Sequence, residues 1–505
     1  MTVGAATLLV RSAVALRAQS LAAGEGFYLS LYDEEIDARA DAFWAAWGRD
    51  TGDTARQPLE LTDAAVWAGS DGSVLVARGG AATFPLYWSL ENQRLCLSTA
   101  LPLRAGGRFS RSGLVASVAA ACVHGSYEPN GFTETPLADW QRVRRASVVR
   151  FAGGRMVEER VLRSTAAQPG ASRADIAGDL RAAIDAYAQS QSRIAASVVE
   201  LSGGFDSTLA AAIPSRAGMR GISVAFPFYE FRFESDVQRA TAEFLGVPRT
   251  EVDGTDLFPY APADGVVRFD EPSVYVTGIR HAERVARFAA DSGAQRIYNG
   301  HGGDQCFATD LLAQEGLVAN PPSRGPFTGP AWRSIAISVE TMRKSPWMDR
   351  SLGTFVYDAR PDVWVKETFG ATLRTPFADR GVFRAALAWS HWYQVRGMRP
   401  DKSILADAAH DLLPQAVLQR KGKVAYDGVW MRAYLQHAEH IAGVFEQVGS
   451  ILAHIGVSPA WLQRRARELG AWQERSDREV LAAYAIATWL AAWDLRRVED
   501  VDWAD

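Results

Sequence analysis

Ile194-Ala195-Ala196-Ser197-Val198-Val199-Glu200-Leu201 runs directly into Ser202-Gly203-Gly204-Phe205-Asp206-Ser207, and this junction settles the architecture. The first eight residues are largely apolar, as in a parallel strand covered on both faces. A glycine turn follows, and a helix is expected over residues 207–213. Two glycines let a backbone approach an anion closely, and the helix start offers unpaired N–H groups and a positive dipole end. Ser202 and Ser207 add hydroxyl donors. Asp206 would be repelled by a bare phosphate, so its place among these donors calls for a cation between carboxylate and phosphate. The competing reading is a tight strand-to-helix turn in which Ser and Asp are only caps.

Outward from this point the pattern alternates. A helix is expected around residues 176–187, strands at 221–226 and 249–252, and helices at 235–245 and 274–291. A further strand, 296–299, ends in a second glycine turn, Gly300-His301-Gly302-Gly303-Asp304. Strand–helix alternation of this kind predicts a doubly wound parallel sheet, whose ligands sit at the strand C-termini near the switch point. Two glycine turns at strand ends, each closing on an Asp, can bring Asp206 and Asp304 to one Mg²⁺. From about residue 309 the chain reads as mainly helical and Trp-rich, with Trp430, Trp461, Trp472, Trp489 and Trp493 expected mostly in the core.

Before residue 165 the runs are short, β-branched or aromatic, and bounded by turn residues: 27–32, 73–77, 85–90, 94–98, 147–151 and 155–162. Hairpins are expected at Glu91-Asn92-Gln93 and at Gly153-Gly154. Between the halves, Ser164-Thr165-Ala166-Ala167-Gln168-Pro169-Gly170-Ala171-Ser172 reads as a linker. With 505 residues, two domains are expected, 1–165 and 175–505. Hydrophobic residues at 48% exclude extended disorder, and 54 Lys+Arg against 58 Asp+Glu give no basic excess for a nucleic-acid partner. Three scattered cysteines exclude a disulfide framework and favour a reducing cytoplasm. The opening residues lack a signal-peptide h-region, and the apolar run 480–493 is too short to span a bilayer. The histidines show no zinc spacing, and Cys306 reads as a small buried residue.

The paired glycine turns resemble the pyrophosphatase-type loops of asparagine-synthetase-like, ATP-dependent amide ligases. The likeness continues through Asp270-Glu271-Pro272, Thr375-Pro376-Phe377-Ala378-Asp379, and Leu412-Leu413-Pro414 leading to Arg420-Lys421-Gly422-Lys423. Asp270 and Glu271 are read either as a border of the acceptor pocket or as a helix start. Val74-Leu75-Val76-Ala77-Arg78-Gly79 and Phe84-Pro85-Leu86-Tyr87-Trp88 look like a class II glutaminase-type (Ntn) sandwich. The family's nucleophilic cysteine is missing: Thr2 follows Met1, and Cys96 is the first cysteine of the chain. The resemblance therefore implies an α+β, degenerate glutaminase-like sandwich ahead of an α/β synthetase domain with a helical C-terminal part. Among such ligases the chain is most similar to lasso peptide cyclases.

What this resemblance implies is adenylation of an Asp or Glu side chain in a precursor core peptide, then closure onto the peptide's N-terminal amine. Ser202, Gly203, Gly204, Phe205, Ser207, Gly300, Gly302 and Gly303 would cradle ATP, with Val224 near the adenine and Asp206 and Asp304 on Mg²⁺. His301 would be the base; the competing role is contact with the adenylate. Lys423, with Lys421 in reserve, would stabilise the oxyanion; the alternative for either is a solvated side chain. A leader peptidase and a leader-binding protein are the implied partners. The rival expectations are a β-lactam synthetase, an ammonia-dependent asparagine synthetase homologue, or an inactive nucleotide-binding scaffold.

Overall fold

A computed structural model of the chain describes residues 2–3, 6–11, 17–20, 26–30, 64–68, 73–79, 85–91, 94–103, 107–124, 133–145, 147–161, 171–192, 196–213, 218–226, 229–307, 324–344, 360–396, 398, 401–420, 427–472 and 477–504. The apolar stretch forms the central strand of a five-stranded parallel sheet, Ser197–Glu200, with Val198 and Val199 fully buried. Strands Met219–Ala225 and Arg249–Asp253 are added on one side. Strands Arg296–Tyr298 and Thr372–Arg374 are added on the other. The order of addition reverses between Ser197–Glu200 and Arg296–Tyr298, so the two glycine turns leave the two strands that flank the switch point.

The helix expected at 235–245 begins earlier, at Tyr229, and three further boundaries differ from the sequence reading for a local reason. The helix after the first turn begins at Phe205 rather than residue 207, because Gly204 takes extended backbone angles and serves as its N-cap. Residues 274–291 are two elements. Val274–Gly278 winds as a 3₁₀ turn capped by Ser273, and the α-helix Ile279–Asp291 starts after Gly278. Val274, Val276 and Thr277 are β-branched and resist a regular α turn. At the expected linker, residues 162–170 lie outside the described residues, and Ser172 is not linker. It caps the helix Arg173–Gln191 in a reciprocal capping box with Asp175.

The N-terminal half contains two sheets, strand by strand mostly antiparallel, whose inner faces share Val66, Val76, Leu86, Leu97 and Val149 as a buried cluster. Trp88 of one sheet meets Phe151 of the other edge-on at 4.9 Å. The hairpin joining Ser147–Ala152 to Arg155–Val161 turns on Gly153 and Gly154, with φ of 56° and 70°, as a primed turn requires. Strands Tyr87–Glu91 and Arg94–Ser98 pair antiparallel around residues 92–93, which lie outside the described residues.

The C-terminal helices do not stand apart from this half. Helix Arg111–His124 buries Leu114, Val118 and Cys122 in one core with Gly329–Lys344 and Arg478–Ala492. Trp489 is buried, Trp430, Trp461 and Trp493 are half-buried against that core, and the Trp472 side chain lies outside the described residues. Among the described residues no helix is long and apolar enough to cross a membrane.

A buried ionic cluster ties the halves together. Glu271 accepts hydrogen bonds from Tyr87 (2.7 Å) and Arg142 of the N-terminal sheet and from Arg360, all nearly solvent-free. Asp270 beside it accepts the Leu101 N–H at 3.1 Å. The Asp-Glu-Pro segment thus joins two halves of the molecule rather than bordering the main cavity.

Candidate active site

Both glycine turns sit at the carboxyl edge of the parallel sheet and touch each other. A Cβ on Gly300 would lie 2.4 Å from the Ser207 nitrogen, and one on Gly303 would lie 2.3 Å from Asp206 Cγ. Only glycine permits this approach at both places. Gly203 and Gly302 further require it through φ of 75° and 95°.

Within the first turn the hydroxyls of Ser202 and Ser207 bond each other at 2.8 Å, and the Gly204 N–H donates to Ser202 Oγ at 3.3 Å. Helix Phe205–Ala212 has no side-chain hydrogen bond capping its start, and its first residues, Phe205, Asp206 and Ser207, line the cavity. Arg420 braces the turn from behind: its Nη1 donates to the Gly203 carbonyl at 2.7 Å while Nη2 pairs with Glu234. In the second turn, the His301 N–H donates to Asn299 Oδ1 at 3.2 Å and the Thr375 hydroxyl donates to the His301 carbonyl at 2.6 Å. The Thr-Pro-Phe-Ala-Asp segment is therefore a brace. Asp379 caps the next helix through Gly381 and Val382 rather than reaching the cavity.

Asp206 and Asp304 converge as expected, and Lys402 lies between them, its Nζ 2.5 Å from Asp206 Oδ2 and 2.5 Å from Asp304 Oδ1. Burial pushes the Lys402 ammonium down, but the two carboxylates outweigh it and hold the group above its ordinary value. The two carboxylates share the Lys402 ammonium, and among the described residues no group of three or more His, Cys, Asp or Glu side chains gathers as a metal site, so a cation here would draw on these two acids alone. Mg²⁺ characteristically takes one or two carboxylates and completes its shell with phosphate oxygens and water. Gly303, whose missing Cβ lets the Asp206 carboxylate in, is what brings the donors together.

These groups open on a cavity of about 690 Å³, within the range of small-molecule sites. Ser202, Gly204, Phe205, Asp206, Ser207, Gly300, His301, Gly302 and Asp304 line it, while Gly203 and Gly303 shape its turns from behind. Val224 sits half-buried in strand Met219–Ala225 and is not part of this lining. Lys421 and Lys423 lie outside the described residues, which resume at residue 427.

Lys402, Asp362, Glu200 and His281 line the cavity and escaped the sequence reading. Lys402 follows a segment with no periodic signal. Asp362 enters from helix Arg360–Phe369, and Glu200 and His281 pair at 2.6 Å. The signal for Glu200 was present, as an acid closing an otherwise apolar strand. His281 belongs to a stripe, Gly278, His281, Ala282 and Val285, whose spacing is one helix face. His301 is held by the Tyr275 hydroxyl at Nε2, its ring edge-on to the tyrosine with centroids 5.1 Å apart. Burial pushes the Cys306 thiol well up, and its Sγ donates to the Phe377 carbonyl at 3.3 Å, so it is an inert packing residue.

A family model described as asparagine synthase matches residues 176–364 and 366–491, more than half of the chain and both glycine turns with it. The chain belongs to the asparagine synthase family. The chemistry of that family is ATP-dependent C–N bond formation. No curated protein matches the chain significantly over its length.

Proposed function

We propose that this asparagine synthase family member is a lasso-type macrolactam synthetase. It adenylates an Asp or Glu side chain of a precursor core peptide with ATP, releases pyrophosphate, and joins the activated acyl group to the peptide's N-terminal amine, releasing AMP. The observation that carries the reading is the meeting of Asp206 and Asp304 from two strand ends beside an uncapped helix start. Adenylation needs positioning and neutralisation of phosphate charge more than covalent help.

In this reading Ser202, Ser207 and the N–H groups after Gly204 hold the leaving pyrophosphate. Asp206 and Asp304 would hold Mg²⁺, which supplies charge neutralisation at the phosphates. Lys402 keeps the two acids together and offers a cation to the same oxygens. His301, oriented by Tyr275, takes a proton as the amide forms, and Lys423 or Lys421 stabilises the oxyanion. In this reading the amine comes from the peptide itself, and Cys96, buried in strand Arg94–Ser98, is a packing residue. The two-sheet N-terminal half would be a silent glutaminase-like sandwich. A leader peptidase and a leader-binding protein in the cytoplasm would supply the substrate.

The test is exchange of labelled pyrophosphate into ATP, using synthetic peptides with a free N-terminal glycine and one Asp or Glu further along. Exchange that depends on the acidic peptide, together with a product lighter by one water, is expected. Asp206→Asn and Asp304→Asn should each reduce exchange by about a hundredfold or more. Exchange supported by small amino acids but not by peptides would make this a small-molecule ligase. No exchange at all would leave a nucleotide-binding scaffold.

A further inference from the structure

Joining a peptide ammonium to an acyl-adenylate releases two protons. The nitrogen arrives with three hydrogens and leaves as an amide with one. A C–N bond forms, the bond from the acyl carbon to the AMP oxygen breaks, and its electron pair departs with AMP. A peptide α-amine has an ordinary pKa of about 7.7–8.0, so the first of these protons is present near neutrality. His301 accounts for one acceptor. The cavity holds a second imidazole that no part of the reaction has yet used.

We propose that His281, positioned by Glu200, takes the first proton from the arriving ammonium, and His301 takes the second as the C–N bond forms. This assignment rests on the ligase reading above. Glu200 closes the central strand after two fully buried valines, and its side chain is 28% exposed, toward the cavity. An acid at the end of such a strand is costly to desolvate unless a partner meets it. Its partner is His281 Nε2 at 2.6 Å.

That bond fixes the ring. With Nε2–H donating to Glu200, the neutral imidazole carries its lone pair on Nδ1, and an accepted proton gives an imidazolium facing a carboxylate. Burial pushes the His281 imidazole down, but the charge of Glu200 and its hydrogen bond outweigh this and raise it above the ordinary 6.5. Burial raises the Glu200 carboxyl, and His281 and then His301 more than reverse it, so both imidazoles act on one acid.

The other titratable and charged groups lining the cavity are Tyr275, His301, Asp362, Arg420, and Lys402 between Asp206 and Asp304. On the far side of the helix Arg280 and Arg287 each pair with both Glu283 and Asp264.

The experiment separates the two half-reactions in the full chain. An N-acetylated version of the acidic peptide is adenylated but has no amine, so it reports pyrophosphate exchange alone. Hydroxylamine, uncharged at neutral pH, then traps the adenylate without a first deprotonation. For His281→Gln we expect exchange and trapping within about threefold of the parent, and cyclisation of the free-amine peptide at pH 7 down about a hundredfold. For Glu200→Gln, which keeps the acceptor and removes the charge, cyclisation should fall about tenfold. Both deficits should shrink above pH 8, where the amine arrives uncharged. Loss of exchange in step with cyclisation, an equal loss of trapping, or a deficit constant with pH would each overturn the assignment. A parent chain without any exchange would remove the ligase reading and this assignment together, and is told apart by that control.

Discussion

Replacing Glu271 by Gln is the sharpest probe of how the two halves of this molecule are held. The glutamate side chain is 1% exposed and sits between Arg142 (5%) and Arg360 (6%), with the Tyr87 hydroxyl donating at 2.7 Å. Gln preserves shape and removes the charge, leaving two desolvated guanidinium groups. Breaking a buried pair in this way costs about 3–5 kcal/mol, because the surviving ion is left without compensation. Asp270, 3.4 Å from Arg360 Nε, retains part of that compensation and places the cost near the lower end, about 3 kcal/mol. With an unfolding entropy of about 2.1 cal/mol/K per residue, a chain of 505 residues shifts by roughly 1 °C per kcal/mol, so the melting midpoint should fall by roughly 3 °C. Thermal denaturation followed by circular dichroism measures it. Added salt should change the difference little, since screening acts weakly on buried charge. The exposed pair Arg108–Asp139, with both side chains 52% exposed, is the control, and Asp139→Asn should leave the midpoint unchanged. A drop below about 1 °C for Glu271→Gln, or one abolished by salt, would refute the argument. Arg360 also begins the helix that carries Pro361, Asp362 and Val365 into the cavity, so pyrophosphate exchange should fall with stability.

Further expectations concern the site itself. Lys402→Met removes the cation between Asp206 and Asp304, which should lower stability by about 2 kcal/mol, with screening at the 39%-exposed Asp304 already allowed for. Millimolar Mg²⁺ should restore the melting midpoint of that variant more than it raises the parent's, as read in paired thermal scans. Gly303→Ala, whose Cβ would meet Asp206 Cγ at 2.3 Å, should separate the turns and cost about 1–3 kcal/mol together with exchange activity. Gly443→Ala, in the exposed interior of helix Asp427–Gln447 with nothing within 4 Å of the new Cβ, should instead stabilise by about 0.5–1 kcal/mol in urea titrations. The Glu200–His281 pair makes stability depend on pH in two directions. The lowered glutamate contributes above its ordinary 4.5 and loses this as pH falls through its folded value. The raised histidine contributes below its ordinary 6.5 and loses this as pH rises through its folded value. The contribution is therefore complete between about pH 4.5 and 6.5, and a stability–pH curve for Glu200→Gln that stays parallel to the parent's both below and above that window would contradict it.

Much of the site was legible along the chain because its chemistry is local. A buried strand, two glycines and a helix start define the first glycine turn within a dozen consecutive residues, and its repetition at Gly300–Asp304 marks the second. The places where the reading missed are those where partners come from far apart. Lys402 reaches Asp206 across 196 positions, and His281 reaches Glu200 across 81. Neither has a spacing that local periodicity could register. The Asp-Glu-Pro segment was ambiguous in sequence because acids before a proline read equally as a helix start. Its joining role became visible only when Arg142 and Arg360 arrived from two other elements.

The chain by itself determined the parallel sheet, the two glycine turns and the pair of acids that end them, since these follow from apolar patterning and from backbone freedom that only glycine has. Tertiary structure alone decided which cation sits between those acids, which imidazole meets Glu200, and which arginines neutralise Glu271. Charge pairing acts through space over a few ångströms, and only the folded chain fixes those distances.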